Sequence, residues 1–376
     1  MKPTPTQPRA FERARCRLAR LLRAHGLCDC GLPARIYEGV SEFQHACPET
    51  GETRLLRDGY TFEMPAPHGD TPTLQREFAA ETAVAQPAFA VHRLHGVHVR
   101  GKRMLLLPAD RSGVLLASER SRGHLEYAQV KDCWRRYRRE EKDATPRLLA
   151  FDRWAYNYYY HWMVDTLCRM LALDACPPQT RVLMPRKTRP YMARAVELLG
   201  IPGDRLECFD DQDWLLGTCW FAGRPYVNLK PSAAEVRQVR ERLLQALGPD
   251  DGPATKLYVS RAHCGSRRLV NEEPLAAHLA GLGFERYFPE DHSLDEQISA
   301  FRRATAVVGS FGSGMTNIMF CAPGTPVVVL YDHTYFDPCI AILAACVGVT
   351  ARGVGYDPEQ PVAAERIARA LADAGG

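Results

Sequence analysis

Lys256-Leu257-Tyr258-Val259-Ser260, Phe284-Glu285-Arg286-Tyr287-Phe288, Ala306-Val307-Val308-Gly309 and Pro326-Val327-Val328-Val329-Leu330 are four β-prone runs within one stretch of the chain. Segments of helical period lie between them. Leu275, Leu279 and Leu282 share one face of the first, which Gly281 and Gly283 end, and Leu294 to Ala304 forms the second. Ser310-Phe311-Gly312-Ser313-Gly314-Met315-Thr316-Asn317 reads as a glycine-rich turn opening a third helix. Strand and helix alternating at this spacing predict a parallel sheet. Ligands of such sheets sit at the carboxyl ends of the strands, and those ends carry Arg261, Arg268 and the Gly312–Gly314 turn. These groups suit a diphosphate. Guanidinium groups make charge-assisted contacts to phosphate oxygens. A helix start adds N–H donors and the positive end of its dipole, and glycine lets the backbone come close.

A second alternating half precedes the first. Arg147 to Phe151, Arg181 to Met184 and Arg205 to Phe209 read as strands, with a helix from Tyr191 to Leu199. Further upstream, Phe89 to Ser118 reads as a β meander broken at Gly96, Gly101 and Gly113, and Ile36 to Arg54 and Tyr60 to Met64 as irregular chain with short β segments. Lys131 to Lys142 is expected to be an amphipathic helix, and Ala363 to Ala374 a closing helix with Ile367 and Leu371 inward. Ser232 to Leu247 carries a helix signature, with Ser232 as N-cap, Glu235 completing a capping box and Gly248 as the stop; with Gly248 to Pro253 it links into the carboxy-terminal part. Within Tyr156-Asn157-Tyr158-Tyr159-Tyr160-His161-Trp162-Met163-Val164-Asp165, His161 and Asp165 are four apart and share a helical face, with Tyr158 one turn earlier. Their large apolar neighbours imply burial, and a buried carboxylate needs a reason. On the residues alone, a structural pair and a catalytic pair both remain open.

At 376 residues the chain has room for two domains, and 46% hydrophobic with 24% charged residues is ordinary globular composition. Its longest apolar run, Cys339 to Val349, is well short of the ~20 residues of a membrane span. The amino terminus is rich in Pro and Arg and has no apolar core of a secretory signal. The 13 cysteines are scattered, and Cys28-Asp29-Cys30 lacks zinc spacing, so reduced thiols in a cytoplasmic protein are the expectation. Net charge is +4, but residues 1–25 hold Lys2, Arg9, Arg13, Arg15, Arg17, Arg20 and Arg23 against Glu12. With Leu18, Leu21 and Leu22 this is a basic amphipathic helix, either a solvated terminal helix or one lying on anionic lipid. No stacking aromatics accompany these arginines, which argues against nucleic acid. His92, His95 and His98 alternate across a strand and share no ligand geometry.

Ser260-Arg261, Arg268-x-x-Asn271-Glu272, Glu290, Gln297, Gly312-x-Gly314-x-Thr316-Asn317 and Pro323-Gly324-Thr325 occur in that order. From about Ala150 to Tyr331 the chain resembles glycosyltransferase family 61. The resemblance implies an α/β, GT-B-like fold of two Rossmann-like half-domains facing a cleft, here with a β-rich amino-terminal portion. Residues 1–35 would be a basic extension, 36–231 the acceptor-side domain and 232–376 the nucleotide-sugar domain. It implies inverting transfer from a nucleotide sugar, with a UDP-linked donor expected, to a hydroxyl of a glycan or lipid-linked saccharide. No metal or other cofactor is implied, so Asp211-Gln212-Asp213, a formal match to an acid–x–acid metal signature, is discounted. The expected setting is bacterial surface polysaccharide or capsule synthesis, in the cytoplasm or peripherally at the inner face of the membrane. The family's aromatic–His–x–x–x–Asp motif implies a catalytic role for Asp165, as general base, with His161 orienting it. Arg261, Arg268, Asn271, Glu290, Gln297, Gly312, Ser313, Gly314, Thr316 and Asn317 are the implied donor-binding residues. Phe311 stands where the family usually has His, and Val329 near a usual Glu. These departures keep a second reading in view, an inactive relative that binds sugar nucleotide or glycan, and beside it a hydrolase.

Overall fold

The structure, a computed structural model, describes residues 35–49, 51–65, 67–115, 137–227 and 230–375. The basic segment 1–25 and the Cys28–Cys30 pair lie outside the described residues, as does 131–136 of the expected charged helix. Two main sheets form the frame. In the first, Leu206–Phe209, Arg181–Pro185, Arg147–Leu149 and Asp213–Ala222 lie side by side in parallel. It continues antiparallel through Phe89–Arg100 to Glu52–Arg57, and Leu105–Pro108 folds back on Phe89–Arg100. The second runs Phe284–Tyr287, Thr255–Val259, Ala304–Ser310, Pro326–Asp332, Thr350–Tyr356 and His68–Gly69, every pair parallel. Val307, Val308, Val327, Val328 and Val329 are all buried, as expected of strands covered on both faces.

Helices Glu272–Gly281, Leu294–Arg302 and Ala364–Gly375 fall where their periodicity places them, and Ile367 is inward. The glycine-rich turn opens a 3₁₀ helix, Ser313–Phe320. Four readings are corrected. Arg139–Glu141 is a strand, not part of a helix: its backbone pairs with the start of Asp213–Ala222, and its charges suit an exposed edge. Gly96 does not break the meander. Phe89–Arg100 is one strand that passes through Gly96 at φ +56°, where a Cβ would come within 2.6 Å of Pro48. Val40–His45 is a short helix. The capping box of Ser232 is incomplete, because the Ser232 hydroxyl donates to the Glu235 carboxylate and accepts no bond from the helix backbone. Glu235 is instead gripped by Arg57, at 2.7 Å.

The Ala233–Leu247 helix sits between the sheets. Val236, Val239 and Leu243 are fully buried. Arg237 and Arg240 reach over to the carbonyls of Cys346 and Cys321. One apolar cluster runs continuously from strands of the first sheet through this helix to one face of the second. A separate cluster covers the second sheet's other face under Ile367 and Leu275. The amino-terminal part also reaches across: after His68–Gly69, Asp70 accepts from Gly355 N–H at 2.9 Å and from Arg366 Nε at 2.8 Å. Every cysteine among the described residues is a free thiol. No helix of the described residues is long and apolar enough to cross a membrane.

Leu243→Ala removes a fully buried side chain where the halves meet. It is expected to cost about 2–5 kcal/mol in urea unfolding. Arg242→Ala, which removes only the half-exposed pair with Asp174, should cost less than about 1 kcal/mol.

Candidate active site

A cavity of about 920 Å³ opens where loops from the two sheets meet. From the second sheet come the segments that follow Thr255–Val259, Phe284–Tyr287 and Ala304–Ser310, contributing Arg261, His263, Arg267, Pro289, Glu290, Ser313 and Gly314. From the first come Tyr158 and Tyr159, and Arg189, Tyr191 and Arg194 beyond Arg181–Pro185. Loops at the carboxyl ends of parallel strands therefore build the wall, as the topology requires.

On the carboxy-terminal side two guanidinium groups converge on the glycine turn. A Cβ on Gly312 would fall 2.0 Å from Arg261 Nη1, so glycine is what lets that side chain cross the turn. Arg261 donates to the Ser266 carbonyl at 3.2 Å. Burial lowers the guanidinium from its ordinary value, and the positive charge of Arg267 adds to the effect. Arg267 has φ +54° and lies over the rings of Phe311 and Tyr335, 5.3 Å from each centroid. Neither arginine is consumed by a carboxylate among the described residues. A Cβ on Gly314 would fall 3.1 Å from Pro289 Cγ and 3.2 Å from Val259 Cγ1, tighter than ordinary contact, so a larger side chain there would press on both.

The expected donor residues separate on inspection. Arg261, Glu290, Gln297, Ser313 and Gly314 line the cavity. Arg268 is exposed and does not line it, and Asn271 exchanges two bonds with the backbone of Val362, at 2.9 and 3.0 Å. Thr316 is fully buried. Asn317 and Gln297 are joined in a buried chain: Tyr159 hydroxyl donates to Asn317 Oδ1 at 2.6 Å, Asn317 Nδ2 to Gln297 Oε1 at 2.8 Å, and Gln297 Nε2 to the His292 carbonyl at 3.0 Å. Three residues that the sequence reading did not assign matter here. Arg267 takes the position expected of Arg268, and only a left-handed backbone in the loop decides which of two adjacent arginines turns inward. Tyr159 belongs to a run of three tyrosines with no feature to single it out. Arg194, on helix Pro190–Leu198, forks onto Asp295 of helix Leu294–Arg302 with two contacts of 2.8 Å, closing one side of the cavity.

His161 and Asp165 lie on a π-helical turn, His161–Thr166, where an α-helix was expected; such turns recur at functional sites. The wider turn keeps the pair together, with His161 Nδ1 2.7 Å from Asp165 Oδ2. Asp165 is the deeper of the two, its side chain 5% exposed against 13% for His161. Rings of Trp154, Tyr158 and Tyr160 surround the imidazole, the Tyr158 ring edge-on at 5.6 Å. Asp213 of the acid–x–acid match is held by His98 at 2.7 Å and by Arg100 and Arg111 at 2.6 and 2.9 Å. Asp211 accepts from the Tyr156 hydroxyl. These carboxylates are engaged by the protein and are not in the cavity wall.

Residues 159–328, the segment that carries most of this wall, match the family described as Glycosyltransferase 61, which supports the family assignment made from the sequence. A match to that family supports glycosyltransferase activity. No curated protein matches the chain.

Asn317→Ala would leave the Tyr159 hydroxyl and the Gln297 carbonyl oxygen without their partner in a buried site. Its expected cost is roughly 1–3 kcal/mol in urea unfolding, with Asn317→Asp no better because a carboxylate cannot donate to Gln297 Oε1.

Proposed function

We propose that the chain is an inverting, metal-independent glycosyltransferase of GT-B-like, two-lobed architecture, moving a sugar from a nucleotide sugar to a saccharide hydroxyl. The observation that carries this is one cavity with Arg261, Arg267 and the Ser313–Gly314 turn on one wall and Tyr158 on the other, the His161–Asp165 pair lying behind Tyr158 and not in the lining itself. In direct displacement the acceptor oxygen attacks the anomeric carbon while the bond from that carbon to the diphosphate breaks. The acceptor proton passes to one base, and the nucleoside diphosphate leaves with the bonding electron pair. Negative charge grows on the leaving phosphate. Two fixed guanidinium groups and the N–H groups of the turn supply stabilisation there without a metal ion. UDP is the donor nucleotide that the family resemblance favours. The acceptor fits a glycan or lipid-linked saccharide of bacterial surface polysaccharide synthesis, at the cytoplasmic side of the membrane.

The depth of Asp165 supports His161 as the proton acceptor and the carboxylate as the group that orients it, the reverse of the roles expected from sequence. His161→Ala should lower kcat by about 10²- to 10⁴-fold, and Asp165→Asn by less, with UDP affinity near wild type in both. Steady-state transfer assays on a panel of sugar nucleotides and saccharides measure this. A greater loss for Asp165→Asn than for His161→Ala would return the base to Asp165, and near-normal turnover in both folded variants would remove the pair from the chemistry.

Arg267→Ala should weaken UDP binding by at least about tenfold, the loss of one charge-assisted phosphate contact. Arg268→Ala should change it less than about twofold. Titration calorimetry separates the two, and an equal effect of both would place the diphosphate away from the Arg267 side of the cavity.

A further inference from the structure

Two of the exposed large apolar side chains among the described residues are aromatic, Tyr158 at 46% and Tyr335 at 45%. The others, Leu55, Leu56, Val227, Val270 and Leu282, are aliphatic. The two tyrosines come from different halves of the fold. Tyr158 precedes the His161 turn, and Tyr335 follows strand Pro326–Asp332. They border one cavity: Tyr158 lines it, and Arg267, which lines it too, lies 5.3 Å from the Tyr335 ring centroid. Burial raises the Tyr335 phenol, and Asp337, Cys339 and Tyr158 add to the rise while Arg267 opposes it.

Both rings are braced from behind. Tyr158 leans on Trp154, centroids 5.8 Å apart and planes at 37°, and meets His161 edge-on. Tyr335 leans on Phe311, at 5.8 Å and 39°, and carries the Arg267 guanidinium 5.3 Å from its centroid. An exposed aromatic ring fixed in this way gains nothing for folding from its outer face. It presents a flat apolar surface whose ordering cost has already been met. Polar groups border that surface: the His161 ring, edge-on to Tyr158 at 5.6 Å, and the Arg267 guanidinium beside Tyr335.

We infer that Tyr158 and Tyr335 form an aromatic clamp for a pyranose ring of the acceptor saccharide, presenting its hydroxyl to His161. This rests on the transferase reading above. A pyranose has a face of C–H groups that packs on an aromatic plane and a rim of hydroxyls that needs hydrogen-bonding groups. The clamp offers both in one place. An acyl chain would have no use for the bordering guanidinium and imidazole. A nucleobase also stacks on tyrosine, and is the competitor that the test has to separate.

The test uses the full chain and the variants Tyr158→Ala, Tyr335→Ala, Tyr158→Phe and Tyr335→Phe. Binding of a panel of neutral oligosaccharides is followed by tryptophan fluorescence and saturation-transfer NMR, and UDP affinity by calorimetry. Each Ala variant is expected to weaken saccharide binding, and raise the acceptor KM, by about tenfold, with UDP affinity unchanged in Tyr158→Ala, which leaves the Arg267 support intact. The Phe variants keep the stacking surface and should stay within about threefold of wild type. Saccharide affinity unaltered by both Ala variants overturns the clamp, as does a wild-type protein that binds no member of the panel. Loss of UDP affinity in Tyr158→Ala overturns it in favour of a nucleobase. Failure of the transferase reading looks different: the Ala variants lose saccharide binding, yet no sugar nucleotide supports transfer by the wild type.

Discussion

The side-chain amide of Asn317 is the bond on which the cavity depends. A buried amide has one donating and one accepting end, and both are used: Oδ1 takes the Tyr159 hydroxyl and Nδ2 donates to Gln297. Tyr159 belongs to the amino-terminal half and Gln297 to the helix Leu294–Arg302, so a single side chain sets the spacing of the two walls. Asn317 can reach both because the 3₁₀ helix lies tight against the strand ends. A Cβ on Gly309 would come 2.5 Å from the Met315 sulfur and 2.9 Å from Val259 Cβ, which leaves glycine as the residue that permits this approach. Low dielectric strengthens the chain while it is complete and makes any gap in it costly.

A second layer of support is aromatic. Phe78, from the helix that follows the short His68–Gly69 strand, meets Tyr331 and Phe336 edge-on. Tyr331 stacks under Phe311 at 5.4 Å, and Phe311 carries Tyr335 and Arg267. The amino-terminal portion thus props the carboxy-terminal wall of the cavity through four rings. Phe311, one of the two departures from the family pattern, acts here as a platform for a guanidinium, a role that its ring face fills without any hydrogen-bonding atom. Val329, the other, is 1% exposed inside a strand, where its surroundings are apolar.

The parallel sheet of the carboxy-terminal half was legible because its strands are continuous apolar runs and its helices are amphipathic, two patterns that differ in period. The helix Cys339–Val347 and the strand Thr350–Tyr356 were not assigned. That helix is buried nearly all round and so shows no polar stripe, and its composition speaks only of a buried segment. Arg139–Glu141 misled in the opposite sense, since Arg-Glu-Glu suits a helix surface, and only the free edge beside Asp213 makes it a strand. In the site, residue types and spacing pointed to the His161–Asp165 contact and to the arginine and glycine chemistry of the turn. They could not give depth or backbone hand. Those two properties distinguish His161 from Asp165 and Arg267 from Arg268, and both arise from tertiary packing.

In the proposed reaction a cation cradle on one wall and a base behind the other can cooperate only if the walls keep their distance, and the connections that hold them differ in strength. The Ala233–Leu247 helix joins the halves through fully buried Val236, Val239 and Leu243, and separating it would return all of that surface to water. The Arg194–Asp295 fork on the cavity rim is different, with side chains 37% and 41% exposed. An exposed pair of this kind contributes at most about 1 kcal/mol, because water replaces what is lost. Breaking the fork therefore costs far less than parting the buried helix.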